Sequence, residues 1–252
     1  MFQYTLESDI GRKREVNEDR AAVISREDGL MLGVIADGMG GHNAGDLASS
    51  MAAEGLGRLF LKEGAEEFRS LEHKKKWLQR AVQEINRSIY DHSVGNPDCR
   101  GMGTTLLAAI IDRDGCVLCH IGDSRAYLFD GRIRQITRDH TYVNLLVDTG
   151  ELSPEEAEEH PKRHMILRAL GTEPDIEGDL IDVELGREAC LLLCSDGLSN
   201  KLDQAAIEAV LRAELSLSEK GTEFIRQAND RGGEDNISFI LFCPEPEVKK
   251  AW

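Results

Sequence analysis

The chain has 252 residues, of which 46 are acidic and 30 are basic, and its formal net charge is −16. This charge excludes a general nucleic-acid binder, because binding to the phosphate backbone needs a clustered basic surface. A metal-dependent enzyme of phosphate chemistry stays compatible with it. The hydrophobic fraction of 41% and the charged fraction of 30% are those of a globular protein and exclude a disordered chain or a coiled coil.

Short runs rich in branched residues predict β-strands along the whole chain. These runs cover residues 21–24, 30–36, 104–111, 117–121, 126–129, 189–194 and 237–242. Turn residues at 112–115 and at Asp130-Gly131 separate neighbouring runs, which favours hairpins and antiparallel sheet.

Helical periodicity predicts two long helices, over residues 43–60 and about 74–92. Two later helices are predicted to begin at the caps Asp203 and Ser218. Because the helices come in consecutive pairs between runs of strands, the predicted fold is α+β, with helices covering antiparallel sheets. No linker or repeat divides the chain, so we expect one domain over residues 1–252.

The segment from Asp139 to Asp175 differs from the rest, because it is polar, rich in glutamate and interrupted by three prolines. We expect a surface flap with short helices at about residues 139–175. Ser153 and Glu156 have the spacing of a capping box with Pro154 at the first helical position, which predicts that one short helix begins there.

The compartment is predicted from what the sequence lacks. The amino-terminal segment has no apolar stretch of a signal peptide, and the longest apolar runs are far shorter than the ~18 residues of a membrane helix. We therefore expect a cytoplasmic protein without membrane contact, whose six cysteines are reduced and structural. Cys116 and Cys119 form one CxxC, but a zinc ribbon needs a second pair, and a three-residue step along a strand puts the two on opposite faces.

Four aspartates fall where a predicted strand starts or stops. Asp37, Asp123 and Asp196 follow such strands, and Asp235 precedes the last one. Strand ends can meet at one edge of a sheet, and a cluster of carboxylates there repels itself unless Mg²⁺ or Mn²⁺ compensates the charge. For any one Asp-Gly pair alone, an ordinary turn is the alternative.

Basic residues precede an acidic pair in the run GRKREVNEDR, which begins at Gly11. An arginine beside a metal site can bind a phosphate through its planar fork while the ions hold the other oxygens. A solvated charged loop is the alternative.

With these segments the chain resembles the metal-dependent protein phosphatases of type 2C, the PPM family, in its bacterial form. The resemblance runs nearly end to end and rests on GRKREVNEDR from Gly11, VIADGMGGHNAGDLAS from Val34, GMGTTLLAAI from Gly101, HIGDSRAYLFDGRIRQITRDH from His120, LCSDGLSN from Leu193 and RGGEDNISFILF from Arg231. It implies a sandwich of two central antiparallel sheets flanked by pairs of helices, with a binuclear Mn²⁺ or Mg²⁺ centre at one end. No P-loop or GxSxG motif supports another enzyme class.

The resemblance also implies a role for each site residue. Asp37 bridges the two ions, the Gly38 carbonyl binds one of them, and Asp196 and Asp235 complete the pair. Glu18 and Asp19 hold metal-bound waters, and Asp123 with Asp196 matches the position of a third ion that bacterial members often bind. Arg14 occupies the position of the phosphate clamp.

The implied activity is hydrolysis of phosphoserine and phosphothreonine in proteins by in-line attack of a metal-bound hydroxide. Phosphorylated proteins are then the partners, a serine/threonine protein kinase is the enzyme opposed, and the protein is expected to be a monomer. The alternative is a phosphatase-like regulatory module that binds phosphoproteins without turnover. Such degenerate relatives usually lose metal aspartates, whereas this chain keeps all four.

One position departs from the eukaryotic pattern, in which a histidine two residues after the bridging aspartate is proposed as the general acid. Met39 stands there in this chain. His42 could protonate the leaving group instead, but capping of the next helix, stacking on a loop, or protonation by a metal-bound water are alternatives.

The glutamates of the flap are expected to favour basic sequence around the phosphoresidue: Glu151, Glu155, Glu156, Glu158 and Glu159.

Overall fold

The structure is a computed structural model and describes residues 2–40, 44–113 and 115–245. Its strands are β1 (Phe2–Asp9), β2 (Asp19–Ser25), β3 (Met31–Met39), β4 (Gly103–Thr104), β5 (Leu106–Asp112), β6 (Gly115–Ile121), β7 (Arg125–Phe129), β8 (Ile133–Gln135), β9 (Asp179–Val183), β10 (Cys190–Cys194) and β11 (Ile237–Pro244). Its helices are α1 (Ala44–Lys62), α2 (Leu71–Gly95), α3 (Tyr142–Asp148), α4 (Pro154–Glu159), α5 (Asp196–Ser199), α6 (Gln204–Arg212) and α7 (Leu217–Asp230), with short 3-10 turns at Ala65–Phe68 and Pro97–Cys99.

The strands form two sheets in which each pair of neighbours is antiparallel. The first sheet has the order β1-β11-β10-β7-β8. The second has the order β2-β3-β5-β6-β9, with β4 paired to β3. The predicted α+β sandwich of two antiparallel sheets is confirmed.

Three apolar layers hold the four-layered sandwich together. One lies between the second sheet and the pair α1 and α2, one between the two sheets, and one between the first sheet and α5, α6 and α7. The alternation along β10 shows how one strand serves two layers: Leu191 and Leu193 face the other sheet, whereas Leu192 and Cys194 face the helices. Strands buried on both faces read as continuous apolar runs, which is why the central strands could be predicted from sequence.

Most predicted elements are present, and the differences have local causes. The edge strands β1 and β9 and the short β8 were not predicted, because at most one residue of each is buried and their apolar runs are correspondingly weak. The cap of α6 is Asp203 as predicted, since its side chain accepts a hydrogen bond from the backbone of Ala206. The cap of α7 is not Ser218 but Ser216, which forms a capping box with Glu219.

The expectation that all six cysteines are reduced is wrong for one pair. Cys190 and Cys243 are joined by a disulfide, because they are neighbours across β10 and β11, one residue beyond the paired Leu191 and Phe242. Their separation of 53 residues hides this contact in the sequence. Cys116 and Cys119 are free and face different layers, as predicted.

The segment predicted as a flap carries α3, α4 and turns. The Ser153 capping box at the start of α4 is confirmed, with both of its reciprocal hydrogen bonds formed. The two ends of the segment are joined where Tyr142 donates a backbone hydrogen bond to Met165. Among the described helices, none has the length and apolar character needed to cross a membrane.

Candidate metal centre

The strand register brings the predicted acids to one end of the sandwich. In the first sheet β10 ends where β7 and β11 begin, so Asp196, Asp123 and Asp235 leave the sheet at the same edge. In the second sheet Asp19, the first residue of β2, lies directly opposite Asp37 near the end of β3. A hydrogen bond of 2.7 Å from Ser195 to Asp19 connects the two sheets at this end.

The backbone of Asp37 is held on both sides. Its N–H donates to the hydroxyl of Thr105 at 3.0 Å, and its carbonyl accepts from the hydroxyl of Thr104 and the N–H of Thr105, each at 2.9 Å. These bonds fix the backbone of Asp37, from which its carboxyl group projects, before any ligand binds.

The carboxylates raise one another's pKa values. Burial, followed by the charges of Asp19 and Asp196, raises the pKa of Asp37 well above its ordinary value. Burial also raises the pKa of Asp19 to about 7, although hydrogen bonding from Ser195 opposes the shift. For Asp123, burial and the charge of Asp196 raise the pKa to about 8. Such a cluster is costly without a cation.

Two buried carboxylate oxygens in the cluster have no hydrogen-bond partner among the described residues. They are Oδ1 of Asp123 and Oδ1 of Asp196. The other oxygen of Asp196 accepts from Asn200 at 3.0 Å. Burial of an unpartnered charged oxygen costs several kcal/mol unless a counter-charge binds it, so these atoms fit a hard divalent cation with oxygen ligands.

Gly38 allows the close approach of three backbone segments. A Cβ at this position would lie 2.1 Å from the carbonyl oxygen of Gly45 and 2.7 Å from that of Glu18. The N–H of Gly38 donates to the same Glu18 oxygen at 3.1 Å. Any side chain here would displace the start of α1 from the acids.

Glu18 and Asp19 lie behind the strand-end aspartates. Asp19 is 2% exposed, so it can act only from within the cluster. Glu18 is half-buried, and burial raises the pKa of its carboxyl, while Arg14 lowers it. The structure thus places both acids next to the cluster, and their indirect role toward ions stays a prediction.

Arg14 lies at the rim of the cluster, where its Nη2 pairs with Oδ2 of Asp235 at 3.0 Å. Burial works to lower the pKa of Arg14, but the hydrogen bond and charge of Asp235 outweigh it, so the pKa is raised. The Arg14 side chain is 48% exposed. It therefore still presents N–H groups to the solvent in front of the acids.

Sequence reasoning missed Asn236, which ties the amino-terminal loop to the acids. Its Oδ1 accepts from the N–H of Glu18 at 2.9 Å, and its Nδ2 donates to the carbonyls of Ile10 and Val16, each at 3.0 Å. Asn236 is 4% exposed. The only signal in the sequence was its place next to Asp235, since the partners lie more than two hundred residues away in the chain.

A second group was also missed. In the described part of the chain, one set of three metal-ligating side chains has its ligand atoms within 4.8 Å of one another, and it consists of His120, His140 and Asp179. No three of the described strand-end acids have ligand atoms within this distance of one another. His42 lies outside the described residues, and its predicted role as general acid stays a prediction.

A cavity of about 750 Å³ separates the flap from the acids. Asp123 and Asp196 line its inner side, and Glu158, Arg163 and His164 line its flap side. His164 is close enough to lower the pKa of Asp196, although burial dominates and raises it. The flap side of the cavity is thus only partly acidic, because cationic side chains line it as well.

The class of protein follows from its fold and its site, a sandwich of two sheets covered by helices with buried acids at one end. The family described as protein phosphatase 2C matches residues 11–241, and the chain belongs to this family. It is 43% identical over 235 residues to the serine/threonine phosphatase stp of Listeria monocytogenes, covering 93% of this chain and 92% of the relative.

Solved structures agree with this family. The serine/threonine phosphatase of S. agalactiae has a TM-score of 0.91 and 37% identity, covering 97% of this chain and 100% of its own. The catalytic domain of the serine/threonine protein phosphatase PstP, solved in complex with two manganese ions, has a TM-score of 0.82 and 37% identity, covering 96% of this chain and 97% of its own.

Proposed function

We propose that the protein is a metal-dependent phosphatase that hydrolyses phosphoserine and phosphothreonine monoesters in proteins. The observation that carries the proposal is the convergence of Asp37, Asp123 and Asp196 from separate strand ends, with two buried oxygens that lack partners in the part of the chain that the structure describes. The family and the named relatives support the same activity. A module that binds phosphoproteins without turnover is not favoured, because all four strand-end aspartates are present.

The donors at this end of the sandwich fit two divalent ions, Mn²⁺ or Mg²⁺, and a third. Asp37 and the carbonyl of Gly38 would hold the pair together with Asp196 and Asp235, and Asp123 with Asp196 would hold the third. When bound, adjacent cations lower the pKa of a shared water and screen the charge of a phosphate. The chain's own contribution is to fix these oxygens before binding, as the three hydrogen bonds to the Asp37 backbone do.

Arg14 would bind the substrate phosphate at the rim. Asp235 holds the guanidinium in place through one of its N–H groups, and the remaining donors can reach a phosphate oxygen. The arginine would therefore orient the ester, and Glu18 and Asp19 would bind to the ions through water. Protonation of the leaving group is assigned to His42 only as a prediction.

The function is tested by assaying the metal-stripped protein before and after addition of Mn²⁺ or Mg²⁺. We expect release of inorganic phosphate from phosphoserine and phosphothreonine peptides only with added metal, and its loss in EDTA. Tight binding of the peptides without phosphate release would favour the regulatory module instead. Undiminished turnover in EDTA would contradict metal dependence.

Arg14→Ala is expected to raise KM and to lower kcat/KM by about ten- to a hundredfold, because a charge-assisted hydrogen bond of about 1.5–3 kcal/mol is lost. Arg12→Ala is the matched control, since Arg12 is a neighbouring exposed arginine that pairs with Asp230. Steady-state kinetics on one phosphothreonine peptide measure both variants. Equal kinetics for Arg14→Ala and Arg12→Ala would contradict the assignment.

We propose that the flap residues that line the cavity select among protein substrates. Glu158→Gln should lower the preference for phosphopeptides with basic flanks by a few fold, the range of one exposed ion pair, and leave hydrolysis of p-nitrophenyl phosphate unchanged. Glu159→Gln is the control, because Glu159 is exposed in the same helix but does not line the cavity. A collapse of small-substrate turnover in Glu158→Gln would place this residue in the chemistry instead.

We also propose that one catalytic domain spans residues 1–252 and that the protein acts as a cytoplasmic monomer opposing a serine/threonine protein kinase. The absence of a membrane-crossing helix among the described residues is compatible with this proposal. Light scattering of the purified protein tests whether it is a monomer. Dephosphorylation of kinase-treated cell extract tests whether it opposes a kinase.

A further inference from the structure

His140 holds the loop that carries Asp123 at two points. The backbone N–H of His140 donates to the carbonyl of Gly122 at 2.8 Å, and the N–H of Gly122 donates to Nδ1 of the His140 ring at 3.1 Å. Both polar groups of the Gly122 peptide backbone are thus bound by one residue. Asp123 is the next residue in the chain.

The loop has a second anchor at Ser124, whose hydroxyl lies 2.9 Å from that of Thr105, but the Gly122 peptide itself is held by His140. Gly122 has φ +106°, and a Cβ there would lie 2.6 Å from the methyl group of Thr105, so the position can carry no side chain of its own. Oδ1 of Asp123 has no partner among the described residues. Because Asp123 is 7% exposed, the conformation of its backbone helps to place the carboxylate.

The other ring nitrogen of His140 is held as well. Nε2 lies 3.2 Å from Oδ2 of Asp179. Because Nδ1 accepts from an N–H, the proton of the neutral ring is on Nε2 and is donated to Asp179. The ring also stacks on buried His120, with centroids 4.8 Å apart and planes at 27°. Burial lowers the pKa of His140 despite the nearby Asp179, which keeps the accepting nitrogen available.

The same residue joins the metal loop to the flap. The carbonyl of His140 accepts from the N–H of Leu167 at 2.8 Å, where the flap returns. Its neighbour Asp139 receives two hydrogen bonds from Nε and one from Nη2 of Arg125, at 2.7–3.1 Å, and is nearly buried. Flap entry, flap return and the Asp123 loop therefore meet at His140.

We propose that His140 is a positioning residue that fixes the Gly122 peptide and thereby holds Asp123 in place for the third cation. This inference rests on the proposed function, since Asp123 is a ligand only if the cluster binds metal. His140 does not touch substrate or ions in this account, and Asp179 acts one step further away by fixing the tautomer.

A zinc site is the other interpretation of His120, His140 and Asp179, whose ligand atoms lie within 4.8 Å of one another. The hydrogen bond from Gly122 argues against it. If Nε2 of a neutral His140 bound zinc, Nδ1 would carry the proton and face the N–H of Gly122 as a second donor. Zinc would thus require the contact to the Asp123 loop to break.

The test compares His140→Asn with His140→Leu. The side-chain oxygen of Asn can stand where Nδ1 stands and accept from Gly122, whereas Leu fills space and accepts nothing. Calorimetric titration of the metal-free proteins with Mn²⁺ measures binding, and phosphopeptide turnover at increasing Mn²⁺ measures its use. Asp123→Asn is the reference for loss of the third site.

We expect His140→Leu to weaken the weakest Mn²⁺ step about tenfold, the scale of one or two lost hydrogen bonds, and to leave the tighter steps unchanged. His140→Asn should restore this step to within about threefold of the unmodified protein. Asp179→Ala should give a smaller shift in the same direction. It also serves as the second variant if the Leu protein does not fold.

Four results would overturn the inference. One is an unchanged weakest step in His140→Leu while Asp123→Asn loses it, which leaves the proposed function intact. Another is equal weakening of every step, which indicates general damage. The third is one zinc per purified chain that is lost in His140→Asn. If Asp123→Asn binds Mn²⁺ like the unmodified protein, the third site fails together with this inference, while the two-ion activity is judged by turnover alone.

Discussion

Asp37→Asn is expected to lower kcat/KM by about a thousandfold or more, since the ions that it would bridge supply several kcal/mol of transition-state stabilisation. Asp196→Asn should have an effect of similar size, because it removes an oxygen that has no other partner among the described residues. Turnover of a phosphothreonine peptide at saturating Mn²⁺ measures the loss. Asp98→Asn is the control, because Asp98 is exposed in the turn at Pro97–Cys99.

Asp37→Asn should raise the stability of the metal-free protein, although it lowers the activity. Asp37 is half-buried among acids that, together with burial, raise its pKa, so a neutral amide of similar shape relieves repulsion in the metal-free protein. We expect the metal-free Asp37→Asn protein to unfold at a higher temperature than the metal-free unmodified protein. Loss of activity together with loss of stability would indicate that Asp37 is needed for folding instead of metal binding.

The second large effect is the loss of stability of the metal-free protein as pH rises from 6.5 to 8.5, by roughly 2–4 kcal/mol. The folded-state pKa values of Asp19 and Asp123 are about 7 and about 8, against an ordinary 3.8. Between these limits the folded protein binds more protons than the unfolded chain, so raising the pH favours unfolding. Thermal unfolding in EDTA across this range measures the effect.

The range from pH 6.5 to 8.5 separates the titration of the acids from that of the histidines. The pKa of His120 is lowered to about 4 by burial and by His140, so this residue stabilises the folded state as pH rises toward its ordinary 6.5 and contributes no further change above that value. Saturating Mn²⁺ should cancel or reverse the trend, since ions bind the deprotonated acids. A metal-free protein whose stability is constant or rises over this range would contradict the description of the cluster.

The site acids could be predicted from sequence because each stands at the end of a strand that is buried on both faces. The continuous apolar runs of β3, β6 and β10 mark their own ends, and the antiparallel register then brings Asp37, Asp123 and Asp196 together. The resemblance to a known family assigned the individual roles. Both the strand pattern and the resemblance can be read without knowing the distances between the acids.

The contacts that hold the acids could not be predicted, because they join residues far apart in the chain. Asn236 bonds to the backbone of Glu18, Ile10 and Val16 across 218 to 226 positions. His140 is near Gly122 in sequence, but its ring hydrogen bond depends on how the flap returns to the core. Amide and imidazole groups with such roles have no periodicity or spacing that identifies them.

The cysteines show the same limit. Their apolar surroundings correctly indicated the burial of Cys116, Cys119 and Cys194, and the three-residue step correctly placed Cys116 and Cys119 on different faces. The disulfide between Cys190 and Cys243 depends on which two strands are neighbours, and composition does not contain that information.

The positions of bound ions distinguish the strand-end acids from every other candidate metal site. Crystals grown with Mn²⁺ should show, in anomalous difference maps at the manganese edge, two peaks roughly 3.5–4 Å apart. Both should contact Asp37, one should contact the Gly38 carbonyl, and a weaker third peak should lie between Asp123 and Asp196. Strong peaks only at His120, His140 and Asp179, or none beside Asp37, would contradict a metal centre built from the strand-end acids.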